Sequence, residues 1–514
     1  MAINLAPCLA IFILFLHLLV WHFRCRRHNP PAGPKPWPII GNLNLIGPVP
    51  HSSLSALSQK YGPIMHLKLG FKDFVVISSA DAAKAFLKTH GHIFSSRPKT
   101  TAGKYAAYNY SDILWAPYGP HWRQACKICI TRLFSQKSIE SSEYIRKEEM
   151  KNMLNDLSIS SGTTILLKDY LYSLNLNIIS RMVLGKKYVE KRYGGFVSWE
   201  EFRKLTDDFA VINTGVANIG DFIPWLNFLD LQGYIKRTKD FSAKFDRFLE
   251  HVLKEHEERR RGVENYVAKD MVDVLLKLTE DPTLEVKLQR NSVKTITQDL
   301  LIGAIDTSSA TIEWGMSEVL KNPEILKKAT DELDIVVGRD RWVEEKDIVN
   351  LPYMEAITKE TMRLHPVASL LPPTTSAVDG DSKVVGYDIP KGAQVIVNVW
   401  AIGRDPAIWE NPNEFNPESF TGKDIDVTGN NFELLPFGAG RRICPGYPLA
   451  LKVVQVCLAN FVHGFSWSLA DHMKKEDLNM EENLTLSNMR KQPLEAVIRP
   501  KQMLIMRKNN AESD

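Results

Sequence analysis

The sequence predicts a mainly α-helical protein with a small β component, built as one large domain behind a single N-terminal transmembrane helix. Three observations carry that expectation. Long stretches of charged and apolar residues at helical spacing dominate residues 120–365, Lys236–Arg261 and Val293–Leu320 among them. Strand-like runs are short and sit towards the two ends of the body, at Ile64–Leu69, at Phe74–Ser78 and within residues 383–399. No internal repeat or second linker divides the 514 residues, although that length could hold about three domains of ordinary size.

In chain order, the first element is apolar. From Leu5 to Phe23 no residue carries a formal charge if His17 and His22 are neutral, and Leu9–Val20 is its densest part. As a helix this segment reaches about 28 Å, close to the hydrocarbon thickness of a bilayer. Arg24, Arg26 and Arg27 follow at once, so the excess of positive charge places the rest of the chain in the cytosol. A cleaved signal peptide would want a basic start and a small-residue cleavage site, and neither is present. The expected organisation is a membrane anchor over residues 1–24, a basic and proline-rich hinge over 25–38, and a catalytic domain over 39–514. The hinge reads Pro30-Pro31-Ala-Gly-Pro34-Lys-Pro36-Trp37-Pro38, which forbids helix and holds the chain extended. Asn109-Tyr-Ser111 and Asn483-Leu-Thr485 fit the glycosylation pattern but would stay unmodified in a cytosolic domain.

Within the body, Gly70 separates the first two strand-like runs, and Trp122–Leu133 reads as helix. Asn322-Pro323 and Asn350-Leu-Pro352 mark helix starts or breaks. Short strands surround a turn at Gly386, Val395–Val399 being the clearest, and Leu449–Phe461 is the last helix. A formal charge of +4 with no stripe of cations and aromatics excludes nucleic acid as a partner. Arg259-Arg260-Arg261 follows Glu255, Glu257 and Glu258, as suits the C-terminal end of a solvated helix. The six cysteines, Cys8, Cys25, Cys126, Cys129, Cys444 and Cys457, are too few for a disulfide framework. Cys126-x-x-Cys129 lacks the second pair that a zinc site would need.

The chemistry centres on Phe437-Gly-Ala-Gly440-Arg-Arg442-Ile-Cys444-Pro-Gly446. Phe, Gly, Arg, Cys and Gly at these offsets should arise by chance in about one chain in ten thousand of this size. Cys444 can supply a thiolate to a heme iron, pushing electron density towards cleavage of an oxygen–oxygen bond. Gly438, Gly440 and Gly446 let the backbone approach the macrocycle and aim N–H groups at the sulfur. Arg442 can pair with a heme propionate and Phe437 can lie under the ring. The helix that follows puts its positive end at the sulfur, favouring thiolate over thiol.

This segment resembles the heme-binding loop of the cytochrome P450 monooxygenases, and the rest of the chain agrees in order and spacing. Glu360-Thr-Met-Arg363 looks like the family's ExxR pair, whose side chains face each other one helix turn apart. Arg363-Leu-His-Pro resembles the plant members, and Phe415-Asn-Pro417-Glu418-Ser-Phe420 resembles the family's PERF segment. The likeness covers essentially the whole chain and is nearest to the plant clan that includes flavonoid 3′-hydroxylases. It implies a cytochrome P450 fold with heme b, its iron ligated by the Cys444 thiolate. Gly303-Ala-Ile-Asp306-Thr307-Ser308 resembles the family's oxygen-activating motif, in which an acid and an alcohol relay protons. Thr307 could instead simply bond its own helix backbone.

Four positions depart from the plant pattern. Tyr118-Gly-Pro-His-Trp122-Arg123 keeps a propionate-binding tryptophan at Trp122 but has Cys126 where arginine is expected. Pro372-Pro373-Thr374 places threonine, and Phe415–Phe420 places Ser419, where the family has arginine. Ala304 stands where glycine is commoner and narrows the space above the heme. Holding the propionates then falls to Arg442 and Trp122, with Arg123 or Lys127 as reserves.

The resemblance maps substrate contacts onto Lys104–Tyr118, Ala210–Asp221, Gln298–Thr307, Pro366–Thr374 and Asn483–Met489. Within them Tyr110, Leu114, Trp115, Ala304, Val367, Leu370 and Leu486 are expected at the substrate, and the aromatic-rich first stretch suits a flat, lipophilic molecule. A phenolic, a terpenoid or an alkaloid fits equally. No dinucleotide fingerprint occurs, so the resemblance implies electrons from NADPH delivered by an NADPH–cytochrome P450 reductase, docking near Arg441 and Lys452. The expected setting is the endoplasmic reticulum membrane, single-pass, with the catalytic domain cytosolic and the lipid bilayer as a partner. Two other readings stay open: an O2-independent heme–thiolate isomerase or dehydratase, and a non-catalytic heme-binding protein.

Overall fold

Residues 29–189, 197–214, 218–376, 382–470 and 473–501 are described by a computed structural model. The expected anchor, residues 1–24, lies outside them. Among the described residues no helix is long and apolar enough to cross a membrane.

Helix α1 (Pro50–Tyr61) leads into β1 (Ile64–Leu69) and β2 (Lys72–Ile77), paired antiparallel around Gly70. The alternation of the sequence survives, with Met65, Leu67 and Leu69 buried on one side. After α2 (Pro120–Ile128) the chain continues as a π-helical turn over Cys129–Leu133, so the expected helix is present but wider in its second half. Then come α3 (Glu143–Ile159), β3 (Thr164–Leu166), α4 (Leu167–Leu184), α5 (Trp199–Ile212), α6 (Tyr234–Arg260) and α7 (Met271–Leu278). The longest helix, α8 (Arg290–Lys321), is buried on nearly every side and packs chiefly on α4. Asn322-Pro323 ends it, and Pro323 and Pro352 start α9 (Pro323–Val336) and α10 (Pro352–Leu364), where their missing N–H costs nothing.

The second half returns to strand. A four-stranded sheet takes the order β1-β2-β7-β4, with β4 (Thr374–Thr375) and β7 (Gln394–Val397). β2 and β7 run parallel although hundreds of residues separate them. A hairpin, β5 (Ser382–Val384) with β6 (Tyr387–Ile389), turns at Val385 and Gly386, both at positive φ. After the short helix α11 (Val399–Ile402) an irregular stretch leads to α12 (Tyr447–Gly464), and a three-stranded sheet joins β8 (Phe465–Leu469) and β9 (Glu495–Pro500) to β3.

The end of α6 is tied to the start of α7. Arg259 donates to Asp270 (2.7 Å) and Asp273 (2.8 Å), and the His256 imidazole meets Asp270 at 3.2 Å. Burial alone would lower the His256 pKa, but hydrogen bonds to Asp270 and to the Val252 carbonyl outweigh it and raise the value. A raised folded-state pKa stabilises fully below the unfolded value of about 6.5, and that contribution is lost as pH rises through the folded value. We therefore expect the thermal midpoint of the protein to fall between about pH 6 and 9, and His256→Gln to flatten that slope. Parallel melts of both proteins over that range check this.

Candidate active site

A cavity of about 390 Å³ opens between α8, α10, the β4–β7 edge and the loop before α12. That is within the range of about 300–1,000 Å³ usual for small-molecule sites. Cys444, Phe437, Gly438, Gly446 and Arg442 line it from the loop, and Gly303, Ala304 and Thr307 from α8. Trp122 and Cys126 line it from α2.

The loop is built to present one sulfur. Gly438 and Gly440 take positive φ (72° and 68°), which other residues resist. Gly440 also lies so close to the Leu87 carbonyl that a side chain there would collide. The Cys444 N–H closes the loop on the Phe437 carbonyl at 3.0 Å. Burial raises the Cys444 pKa, while the N–H groups of Gly446 and Tyr447, at the first turn of α12, oppose the rise. Gly446 itself is helical in φ and has open contact distance around it, so its part is the N–H rather than the missing side chain.

Two arginines close the opposite edge. Arg442 donates to the carbonyls of Ser95 (2.7 Å) and Ala116 (2.7 Å), and its guanidinium lies 4.1 Å from the centre of the Trp122 ring. Arg97 donates to the Leu114 carbonyl (2.9 Å), the Pro373 carbonyl (3.0 Å) and the Pro372 carbonyl. Burial pushes Arg97 down to about 9, with the neighbouring Arg442 charge adding to the shift, and pushes Arg442 down to about 10. The one acid near both, Asp112, is itself pushed up to about 7 by burial. Among the described residues neither cation has a carboxylate partner, and both line the cavity that holds the Cys444 sulfur, which fits the two propionates of heme b. Arg97 escaped the sequence reading, and its only signal was an Arg-Pro step after Phe94. It supplies a cation at the edge where Cys126 and Thr374 replace arginines. Cys126 does line that edge, its thiol pushed up to about 12 by burial, and Thr374 is buried in β4.

The ExxR pair is made as expected. Arg363 donates to Glu360 through Nε (2.6 Å) and Nη2 (2.8 Å). Its remaining N–H groups reach the carbonyls of Gly403 (2.5 Å), Pro412 (2.7 Å) and Glu414 (2.8 Å), and the Asn416 N–H donates to Glu360 (2.6 Å). Backbone groups of residues 403–416 thus complete the network without an arginine at Ser419.

On α8, Thr307 and Asp306 part company. Thr307 faces the cavity and gives its hydroxyl proton to the Gly303 carbonyl at 2.7 Å. Asp306 does not line the cavity, since adjacent helical residues point about 100° apart. Burial pushes its carboxyl up to about 6, with Lys168 and Arg203 opposing and Asp207 adding.

Of the expected substrate contacts, Leu114, Ala304, Val367, Leu370 and Leu486 line the cavity; Tyr110 and Trp115 do not. Their polar tips are engaged elsewhere. The Trp115 Nε1–H donates to Asn213 (2.6 Å) at the end of α5, and the Tyr110 hydroxyl donates to the Thr100 carbonyl (3.0 Å). Thr101 donates to Asp221 through its hydroxyl (2.7 Å) and its N–H (3.0 Å). The aromatic stretch therefore straps residues 101–115 to residues 213–221. Ile113, Leu300, Phe209, Leu371 and Val397 supply the apolar wall instead. Asp299, which the sequence reading left unnamed, also lines the cavity and accepts from the Ile113 N–H at 2.7 Å.

A thiol offered to a cavity whose far edge wants two anions is what a heme–thiolate protein requires. Comparison narrows that class. The cytochrome P450 family model matches residues 31–494. A Zea mays trimethyltridecatetraene synthase is 43% identical over 97% of this chain and 94% of its own. A Petunia hybrida flavonoid 3′-monooxygenase is 42% identical over 96% of both chains. A zebra fish cytochrome P450 structure with progesterone superposes with a TM-score of 0.74 at 25% identity, covering 88% of this chain and 99% of that one. The chain belongs to the cytochrome P450 family, as a monooxygenase with plant relatives, and its cofactor is heme held by a cysteine thiolate.

Proposed function

We propose that this protein inserts one oxygen atom from O2 into a lipophilic plant specialised metabolite, with electrons from NADPH passed through a membrane-bound reductase. The observation that carries this is the cavity itself: an apolar wall of Leu114, Val367, Leu370 and Leu486 shares one space with Thr307 and Cys444. Heme, when bound, supplies the iron at which dioxygen is activated. The chain holds its sulfur through Cys444 and its propionates through Arg97, Arg442 and Trp122. Thr307, whose hydroxyl donates a hydrogen bond to the Gly303 carbonyl, keeps its oxygen lone pairs free to orient a water in the cavity. Asp306, buried beside the cavity wall with its carboxyl pushed up to about 6, senses the charges of Lys168, Arg203 and Asp207 and can take or release a proton near neutral pH.

Setting the aromatic strap aside leaves a cavity lined by aliphatic side chains with Phe134, Phe209 and Phe437 among them, which supports lipophilicity without requiring a flat ring. The relatives' names point the same way, spanning a flavonoid and a hydrocarbon tetraene. Membrane seating is supported by an exposed apolar patch: Trp37 (64% exposed), Ile39 and Phe71 with Trp225, Phe228 (82% exposed) and Leu231. Hydrogen bonds from Gly70 to Ile40 and from Phe71 to Phe222 hold the two halves of that patch together. For the reductase, Arg441 is exposed while bonded to Tyr118, and Lys452 is paired with Glu345.

The test is to co-express the full chain with such a reductase in microsomes and screen lipophilic plant metabolites by mass. A gain of one oxygen, dependent on NADPH and O2, is expected. Turnover that persists without NADPH would move the protein to the isomerases. Thr307→Val, which keeps shape but removes the hydroxyl, should cut product formation about 100-fold with heme content unchanged.

A further inference from the structure

We infer that Asp299 is a specificity-determining residue: it selects lipophilic substrates that carry an uncharged oxygen, a carbonyl or hydroxyl, and meets that oxygen with a hydrogen bond. This rests on the monooxygenase reading and narrows its substrate class. Among the described residues that line the heme cavity, Asp299 is the one with a carboxyl group. The reaction proposed above leaves it without a task.

Its position suits a contact with substrate. Asp299, Gly303 and Thr307 follow one another at intervals of four along α8, and all three line the cavity. Eight residues of helix rise about 12 Å, so Asp299 stands two turns away from Thr307 in the same wall. It is not sealed in the core, for it keeps accessible surface where it borders the cavity. Its neighbours in that wall, Ile113 and Leu300, are apolar.

A carboxylate in such a wall needs a cation or several donors to hold its charge. Asp299 has one donor, the Ile113 N–H, which meets Oδ2 at 2.7 Å. Among the described residues no cation pairs with it, and the charge that acts on it is Asp112, of the same sign. Burial first, and Asp112 second, raise its pKa well above the usual carboxyl range, with the Ile113 N–H opposing. The protonated acid is therefore favoured. Oδ2 is the acceptor for Ile113, so the O–H falls to the other oxygen, which has no bonded partner among the described residues. A donor in a cavity wall calls for an acceptor. A substrate carbonyl or hydroxyl supplies one, a hydrocarbon leaves the O–H unmet, and an anion would add a third acid beside Asp112 and Asp299.

The test uses the heme-loaded full chain and probes anchored on the iron: imidazoles carrying straight N-alkyl tails of increasing length. The tails end in a methyl, a methyl ketone or an ammonium group, and binding is read from the shift of the Soret band. At one tail length the ketone is expected to bind about tenfold more tightly than the methyl tail. Asp299→Asn can turn its amide oxygen to Ile113 and its N–H groups to the cavity, so it should keep most of that preference. Asp299→Leu should lose it, and wild type with Asp299→Asn decides the matter if Asp299→Leu does not fold. A preference for the ammonium tail, no preference for the ketone at any length, loss of the preference in Asp299→Asn or its survival in Asp299→Leu overturns the proposal. Imidazole binding needs heme but neither NADPH nor O2. Failure here therefore leaves the monooxygenase reading standing, and absent turnover leaves the binding result standing.

Discussion

Cys444→Ala is expected to abolish oxidation of substrate and to erase the thiolate-shifted Soret band of the reduced carbon monoxide complex. The loss should be complete because nothing nearby can substitute. Among the described cysteines only Cys444 has two backbone N–H groups, from Gly446 and Tyr447, to counter the burial of its sulfur. Cys126 also lines the cavity, but burial pushes its thiol to about 12, and the buried Cys129 thiol is raised well above its ordinary value. Neither has such N–H groups to favour its thiolate, and a thiol is a poor iron ligand. Spectra and extracted heme content of the purified variant check this. A retained thiolate band would remove Cys444 from its proposed role.

Arg363→Ala should be the most damaging change away from the cavity. Both partners of the Glu360–Arg363 pair are buried, at 0% and 2% exposure. Removing the arginine strands the Glu360 carboxylate in the core and releases the carbonyls of Gly403, Pro412 and Glu414 at once. Breaking such a pair costs about 3–5 kcal/mol, against a total stability of about 5–15 kcal/mol for a typical domain. Soluble heme-loaded protein should be nearly absent. Arg363→Lys rescues little, because an ammonium is a point charge that cannot reach three carbonyls and a carboxylate in one plane. Yield of carbon monoxide-binding protein in parallel expressions gives the comparison.

What could be read from residues alone was what local spacing records. Strand β1 falls where alternation placed it, α12 begins at the cysteine loop, and Glu360 meets Arg363 because i and i+3 share a helix face. The parts that escaped depend on partners without sequence signatures. Arg97 earns its place through the carbonyls of Leu114, Pro372 and Pro373, and every residue has a carbonyl. The network at Ser419 closes through backbone groups for the same reason. Trp115 and Tyr110 looked like ligand contacts because aromatic side chains suit pockets, yet an indole N–H and a phenol also seek acceptors. Those lay in Asn213 and Thr100, away from the cavity. Asp306 and Thr307 are neighbours in sequence, but the helix turn sends them to different surroundings.

The two unpaired guanidiniums of Arg97 and Arg442 have a consequence for the life of the protein before it meets its cofactor. Burying these two cations among carbonyl dipoles and one indole ring costs stability, so binding of heme propionates there is thermodynamically linked to folding. A ligand that binds only the native chain, present at a hundred times its dissociation constant, adds about 2.7 kcal/mol of stability. Heme supply thereby shifts the balance between folded and unfolded chain towards the folded one.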